Sequence, residues 1–96
     1  MITEDFALIL FTVAEVTEIE ADEILSSNKR MEVVEARVLL AKVMRDFGYH
    51  PSLIANKMNK AKSGIIALLE TFEQREKTNQ IFARMYKEIK QKLFDN

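Results

Sequence analysis

The sequence contains no cysteine, which excludes disulfide bonds, thiolate metal sites and a cysteine nucleophile. Two glycines and one proline in 96 residues leave few positions for tight turns, and helix-forming residues dominate the rest. With 48% hydrophobic and 30% charged residues, the composition is that of a folded domain and not of a disordered chain. We therefore predict a single compact all-α domain over residues 1–96, with five to six helices.

Residues that carry catalysis or bind metals are equally scarce. His50 is the single histidine, and no second metal ligand of the usual type accompanies it. The acids between Glu18 and Glu23 match no calcium-loop spacing, so we interpret them as solvated. The sequence contains neither a glycine-rich phosphate loop nor a nucleophile–base pair. We therefore expect no enzyme, no cofactor, no metal site and no bound nucleotide.

Long apolar runs are also missing. The apolar stretch Phe6–Val13 has eight residues, whereas a helix that crosses a bilayer needs about 20. Glu4 and Asp5 precede this stretch, where a secretory signal would carry basic residues. We expect the stretch to form a buried helix, and we expect a cytoplasmic protein without a membrane partner.

Basic residues are absent from the first 28 positions, which contain seven acids. All fourteen Lys and Arg residues lie at or after Lys29. Residues 29–96 contain eight acids, so this part has a net charge of +6, although the whole chain carries −1. Such segregated positive charge favours nucleic-acid binding, because each neutralised phosphate releases condensed counterions.

Apolar residues recur with helical spacing along most of the chain. We expect Thr3 to cap a first helix, Ala21–Ser26 to add a short helix, and residues 27–30 to form a polar loop. The strongest pattern predicts a helix over Glu32–Phe47 that ends at Gly48. We predict that the stripe of the last helix belongs to the core, with a homodimer contact as the alternative. That stripe comprises Ile81, Phe82, Met85, Ile89 and Leu93.

Two helices joined by a tight turn are predicted at Pro51–Asn59 and Lys60–Gln74. A short helix followed by a longer one is the arrangement of a helix-turn-helix, whose second helix inserts its first turn into the major groove. Small and polar residues are needed there, because bulk would hold the helix away from the base edges. Lys62 and Ser63 meet this requirement, and Lys57 flanks the turn at a position suited to a phosphate.

The order of residues adds a family resemblance. It rests on Glu23–Ser26, Lys29–Arg30, Val33–Ala41, Gly48, Pro51–Ala55 and Met58–Ile65. In that order these segments resemble the C-terminal DNA-binding domain of the bacterial chromosomal replication initiator DnaA, over nearly the whole chain. The resemblance implies a Trp-repressor-like all-α fold with a helix-turn-helix at about residues 51–74. It also implies binding to double-stranded DNA, in the regulation of replication or transcription.

Site residues follow from this resemblance position by position. Lys29 and Arg30 belong to a basic loop that in the family reaches the minor groove, and Arg37 matches an arginine near the phosphates. Lys60 occupies the basic position of the family's recognition motif, and Lys62 stands where the family has His. The full set expected to bind DNA is Lys29, Arg30, Arg37, Lys57, Lys60, Lys62 and Ser63.

The recognition motif departs from the family pattern at several positions. Ser63 keeps the hydroxyl of the first Thr, but Ala61 replaces Asp and Gly64 replaces the second Thr. Asn59 stands for a pair of glycines, and Glu70 lies where the family usually has a base. These changes leave an alternative open, in which the domain keeps the fold and acts as a protein-interaction module. That alternative predicts scattered cations and an exposed apolar patch near Phe82 and Tyr86, whereas DNA binding predicts one continuous positive face that joins Lys29, Arg37, Lys57 and Lys62.

Overall fold

The computed structural model describes residues 1–94, and within that range the chain is helical, without a β-strand. The segments are α1 (Ile2–Thr17), α2 (Ala21–Ile24), α3 (Met31–Asp46), α4 (Pro51–Met58), α5 (Lys62–Glu70), α6 (Phe72–Thr78) and α7 (Gln80–Phe94). The all-α prediction is confirmed. Among these segments, α2 is a single turn, and Thr71 alone separates α5 from α6. Within residues 1–94 no helix combines the length and the apolarity needed to cross a membrane.

The helix α3 forms the centre of the molecule and contacts each of the other six helices. The sequence predicts one buried face for this helix, yet Val38, Leu39 and Ala41 are also fully buried on its other sides. A helix that is covered all round must be apolar all round, which explains the nearly continuous apolar run in α3. Each fully buried Val, Leu or Met contributes about 1.5–3 kcal/mol relative to an exposed one. Every other helix therefore has part of its packing on α3, while α4 also packs on α5, and α7 also packs on α1 and α6.

The first helix starts earlier than expected. It begins at Ile2 with Met1 at the N-cap position, so the prediction that Thr3 caps it is wrong. Because Thr3 lies inside the first turn, its hydroxyl is available to another helix and accepts a hydrogen bond from the Nζ of Lys57, at 2.7 Å. The buried side of α1 carries Ile9 and Val13, as the periodicity predicts.

Three residues with positive φ follow helices in the described chain: Glu18 after α1, Gly48 after α3 and Asn59 after α4. Gly48 has φ 99° and ends α3, as predicted. Its N–H donates to the Arg45 carbonyl at 2.9 Å, and the next N–H, of Tyr49, donates to Met44 at 3.2 Å. Asn59 has φ 55° and ends α4 in the same conformation, which Asn tolerates better than most residues. It does not cap α5, because Ala61 holds that position without a side-chain hydrogen bond.

The predicted helix over Lys60–Gln74 is divided at Thr71. The hydroxyl and the N–H of Thr71 both bind the Leu68 carbonyl, at 2.8 and 3.1 Å, which tightens the last turn of α5. A second break occurs at Asn79, between α6 and α7. Asn79 is extended, and its Oδ1 accepts from the N–H of Phe82 at 3.1 Å, so it caps α7.

The apolar stripe of α7 faces the core of its own chain. Phe82 and Ile89 are fully buried, and Met85 and Leu93 pack against the same core. Ile81, at the start of the stripe, is exposed. Four of the five stripe residues therefore pack in the core, as predicted, and the prediction is wrong for Ile81.

Asp46 fixes the C-terminal half of α7 to the end of α3. Its carboxylate accepts hydrogen bonds from the Tyr86 hydroxyl and from the Nζ of Lys90 at 2.9 Å, and Lys42 pairs with it at 3.1 Å. Burial raises the pKa of the Asp46 carboxyl, but these three donors outweigh burial and hold the pKa below its usual value. Burial and the neighbouring Asp46 raise the pKa of the Tyr86 hydroxyl, which therefore remains a donor. This network sets where α7 lies on α3.

Candidate nucleic-acid interface

The segment from α4 to α5 has the helix, turn and helix arrangement that the sequence predicts. Pro51 occupies the first position of α4, where its missing N–H leaves no hydrogen bond unmade. The Nδ1 of His50 accepts from the N–H of Ser52 at 3.1 Å, so the single histidine is a helix cap. Residues 59–61 form the turn, and α5 begins at Lys62. Ile54 and Ile65 are fully buried and anchor the two helices to the core.

The N-terminal turn of α5 projects into open space. Residues 61–64 are all exposed, and Ile65 is the first buried residue of the helix. A Cβ atom added at Gly64 would meet nothing within 4 Å, so the surface around this turn is sterically clear. The outer face of α5 is also exposed, and it consists of Ser63, Ile66, Ala67 and Glu70, as the helical spacing predicts. This turn can therefore approach a groove.

Arg37 is not on this surface. It is 5% exposed, and its guanidinium donates to three backbone carbonyls around the end of α2. Its Nε binds the Ile24 carbonyl at 2.7 Å, and its Nη2 binds Ser26 at 2.6 Å and Glu23 at 3.5 Å. Burial lowers the pKa of Arg37, although a guanidinium keeps its proton in proteins. A direct phosphate contact, as we predicted for Arg37, is not available to a side chain buried in this way.

Lys60 also faces inward, toward the same loop. Its Nζ lies 3.3 Å from the Ser26 carbonyl, which Arg37 binds as well. Burial and the neighbouring charge of Arg37 lower the pKa of Lys60. Its ammonium is therefore directed at Ser26 and not along the outer face of α5. The expected contact of Lys60 with DNA is not available in this orientation. Lys60 connects the turn between α4 and α5 to the loop that carries the next two cations.

That loop, residues 25–30, is held in a defined conformation by polar contacts. Arg30 pairs with the Glu23 carboxylate at 2.5 Å, and the Nδ2 of Asn28 donates to the same carboxylate at 3.3 Å. The N–H of Arg30 donates to the Oδ1 of Asn28 at 2.8 Å. Lys29 and Arg30 are nevertheless exposed to solvent. This role of Glu23 was not predicted, although an acid shortly before a polar loop that ends in a base favours such an ion pair.

Lys57 lies near the other end of the turn and is half-buried. Its hydrogen bond to Thr3 directs its ammonium to the start of α1. Thr3 is a neutral acceptor, so the charge of Lys57 is not neutralised there. Within residues 1–94, Lys57 makes no hydrogen bond or ion pair with the loop that holds Lys29 and Arg30.

The surface around α7 matches the alternative of a protein-interaction module in part. Phe82 is fully buried and Tyr86 is half-buried against Asp46, but Ile81 and Met31 beside them are 67% and 65% exposed. The predicted cations do not join in one face, since Arg37 is buried and Lys57 is directed to α1. An open cleft of about 610 Å³ lies where the start of α3 meets α6 and α7. Its polar side chains are engaged with one another, since Glu35 binds Asn79 at 3.2 Å and Arg75 at 3.8 Å.

Among the described residues, no three acids or histidines are placed to hold a metal ion.

No model of a known protein family matches this chain, and neither the curated proteins nor the solved structures include a match. Function must therefore be inferred from the charge and geometry of the site. The structure divides the seven predicted residues into three groups: exposed (Lys29, Arg30, Lys62, Ser63), turned toward the loop (Arg37, Lys60) and turned toward α1 (Lys57).

Proposed function

We propose that this chain is a double-stranded DNA-binding module of the helix-turn-helix type, similar to the C-terminal domain of DnaA. It would act in the control of replication or transcription, without a catalytic step. The observation that carries the proposal is the exposed, lysine-led first turn of α5, which Lys60 connects to a basic loop. The proposal assigns direct DNA contacts to the exposed residues and a positioning role to Arg37 and Lys60.

Several physical features of the α5 tip suit a DNA groove. Lys62 can donate to guanine O6 and N7, and the Ser63 hydroxyl can donate to or accept from either kind of base pair. No side chain caps the first turn, since Ala61 cannot accept a hydrogen bond from it. The first N–H groups of a helix carry partial positive charge, so they add to the attraction for a phosphate.

The basic loop supplies the second point of contact. Lys29 and Arg30 would bind the DNA backbone or the neighbouring groove. Arg37 and Lys60 both bind the Ser26 carbonyl, and these two contacts would hold the loop at a constant distance from α5. Glu23 competes with a phosphate for Arg30. Because the Arg30 side chain is 56% exposed, this ion pair is worth no more than about 1 kcal/mol, and a phosphate can replace it.

The proposal predicts salt-dependent binding to duplex DNA. Each phosphate contact contributes about −0.9 to the slope of log K against log salt concentration. Lys29, Arg30 and Lys62 are the exposed cations that the proposal assigns to DNA, so we expect a slope of about −3. Fluorescence anisotropy with a labelled duplex of mixed sequence, from low to physiological salt, measures it. Absence of binding at the lowest salt, or a slope near zero, would contradict the proposal.

Glu70 provides a test of which way α5 faces. It lies on the outer face of α5, two turns from the tip, and its carboxylate would repel phosphates. A charge about 10 Å from a phosphate in water costs about 0.4 kcal/mol, so we expect Glu70→Gln to raise DNA affinity about twofold per nearby phosphate. The gain should disappear at high salt. Glu88→Gln, on the exposed side of α7, is the matched control. Equal effects of the two substitutions would show that α5 does not face the DNA.

A further inference from the structure

The outward face of α1 carries a pattern that DNA binding does not use. Four exposed residues follow one another at spacings of four, three and four, which keeps them on one side of the helix: Glu4, Leu8, Phe11 and Glu15. Leu8 is 54% exposed and Phe11 is 63% exposed, although both are large apolar residues. The face therefore presents two adjacent apolar side chains between two acids.

Acids outnumber bases around this face, and the Lys57 ammonium lies at its start, on Thr3. No base occurs in the first 28 residues, and Glu18 extends the exposed acids to the end of α1. The terminal amino group lies 3.7 Å from the Glu4 carboxylate, and the Nζ of Lys92 lies 3.6 Å from the Glu15 carboxylate. Glu4 and Glu15 remain 78% and 69% exposed, so these pairs are weak and leave the carboxylates available to a stronger partner.

We propose that this face of α1 binds a basic amphipathic helix of a partner protein. The complementary helix would carry a base, two apolar residues and a second base at positions i, i+4, i+7 and i+11. Its apolar pair would cover Leu8 and Phe11, and its bases would lie against Glu4 and Glu15. Such helix recognition uses apolar anchors at helical spacing, with charges at the rim that select the partner.

A second copy of this chain is a poorer occupant of the same face. In an antiparallel two-fold contact centred between Leu8 and Phe11, each of these residues faces the other in the partner copy. The same symmetry sets Glu4 of each copy against Glu15 of the other, so both flanking pairs repel. The exposed side of α7 does not complement α1 either, because it runs Ile81, Arg84, Glu88 and Gln91. Charge complementarity therefore favours a basic partner over self-association.

The α1 face and the α5 tip are formed by different helices and share no residue. α1 packs against α2, α3 and α7, whereas α5 packs against α3, α4 and α6. One hydrogen bond, from Lys57 to Thr3, connects α1 with α4. The inference does not depend on DNA binding, and the two can be tested separately.

The test uses the full chain, labelled with ¹⁵N, and a synthetic helix. The probe is an Ala- and Gln-based peptide of about 16 residues that carries Lys, Leu, Leu and Lys at the stated spacing. The control peptide has Glu in place of both Lys residues. We expect chemical-shift changes confined to residues 2–17 with the Lys peptide, and binding at least tenfold weaker with the Glu peptide.

Variants of the exposed residues complete the test. Leu8→Ser combined with Phe11→Ser should abolish peptide binding, whereas Ile81→Ser, at another exposed apolar position, should leave it unchanged. Glu4→Lys combined with Glu15→Lys should reverse the preference between the two peptides. All of these variants should unfold cooperatively on heating, and the Ser variants, which carry no change of charge, should retain the DNA affinity of the unchanged protein. Equal binding of both peptides, or shifts centred outside α1, would overturn the proposal. So would dimerisation of the unchanged chain that the Leu8 and Phe11 substitutions abolish, since a second copy would then be the occupant.

Discussion

Replacing Lys62 by Glu is expected to lower the affinity for duplex DNA by roughly 10- to 100-fold at low salt. One good base or phosphate contact is worth about 1–3 kcal/mol, and reversal of the charge adds repulsion to the loss of the contact. Lys62 is the first residue of α5 and is exposed, so its replacement removes charge from the tip without removing core packing. The measurement is the same anisotropy titration that gives the salt slope.

The matched control for this substitution is Lys87→Glu. Lys87 is an exposed lysine on α7, a helix that packs against α1, α3 and α6 and lies apart from α5. The two variants have the same net charge, so an effect of overall charge would appear in both of them. We expect Lys87→Glu to reduce affinity by less than about threefold, through long-range attraction alone. If the two variants lose affinity equally, the tip of α5 does not enter the groove.

The slope of the salt titration separates two further outcomes. Loss of one phosphate contact makes the slope shallower by about 0.9, and the loss should be similar on all sequences. Loss of a base contact leaves more of the slope intact and weakens discrimination between sequences. The change in slope for Lys62→Glu therefore assigns this residue to the backbone or to the bases. Ser63→Ala, which removes a hydroxyl and no charge, should leave the slope unchanged.

The local features of this fold can be predicted from the sequence. The predicted helix Glu32–Phe47 differs by one residue at each end from the observed Met31–Asp46, because apolar periodicity and the glycine at position 48 are local signals. The exposed tip of α5 follows equally well from residue size and polarity. Such features depend on a few neighbouring residues, so one chain is sufficient to predict them.

Features that depend on contacts between distant segments were not predicted. Arg37 and Lys60 are cations in the sequence, and a cation is expected on the surface unless a partner is known. Their partner is the carbonyl of Ser26, 11 residues before Arg37 and 34 before Lys60, and its position depends on how the loop folds. The break at Thr71 has a similar origin. Phe72 packs against Phe82 and Tyr86 from another helix, at ring distances of 5.7 and 4.7 Å.

Arg37→Leu is expected to destabilise the fold by about 2–4 kcal/mol. The substitution leaves the Ile24 carbonyl without a donor, and a buried unsatisfied group costs about 1–3 kcal/mol. It also removes the guanidinium bonds to Ser26 and Glu23, whose carbonyls keep the donors Lys60 and Ser26, and each such bond is worth about 0.5–1.5 kcal/mol. Opening of the loop to water would recover part of this cost. For a chain of this size the loss corresponds to a fall in Tm of roughly 10–25 °C. Denaturant unfolding followed by circular dichroism measures the change in free energy.

Arg45→Leu controls for the loss of an arginine from the same helix. Arg45 is exposed and donates one hydrogen bond, to the Tyr49 carbonyl at 3.2 Å, so its replacement should cost less than about 1 kcal/mol. Arg37→Lys keeps the charge with fewer donors and should fall between the two. Equal stabilities of Arg37→Leu and Arg45→Leu would mean that the buried guanidinium does not hold the loop.

The Arg37 substitution also distinguishes positioning from contact in DNA binding. Loss of its donors should free residues 25–30, which hydrogen exchange detects as faster exchange of the Leu25 and Ser26 amides. At a temperature where the variant remains folded, Lys29 and Arg30 would then bind from a mobile loop and would lose part of their contribution. We expect a loss of affinity smaller than that of Lys62→Glu, because the cations themselves are still present. If the DNA affinity stays unchanged while the amides of the loop exchange rapidly, the loop does not contact DNA. In that case α5 alone forms the interface. A loss as large as that of Lys62→Glu would instead mean that the position of α5 itself depends on Arg37, through the shared contact with Lys60.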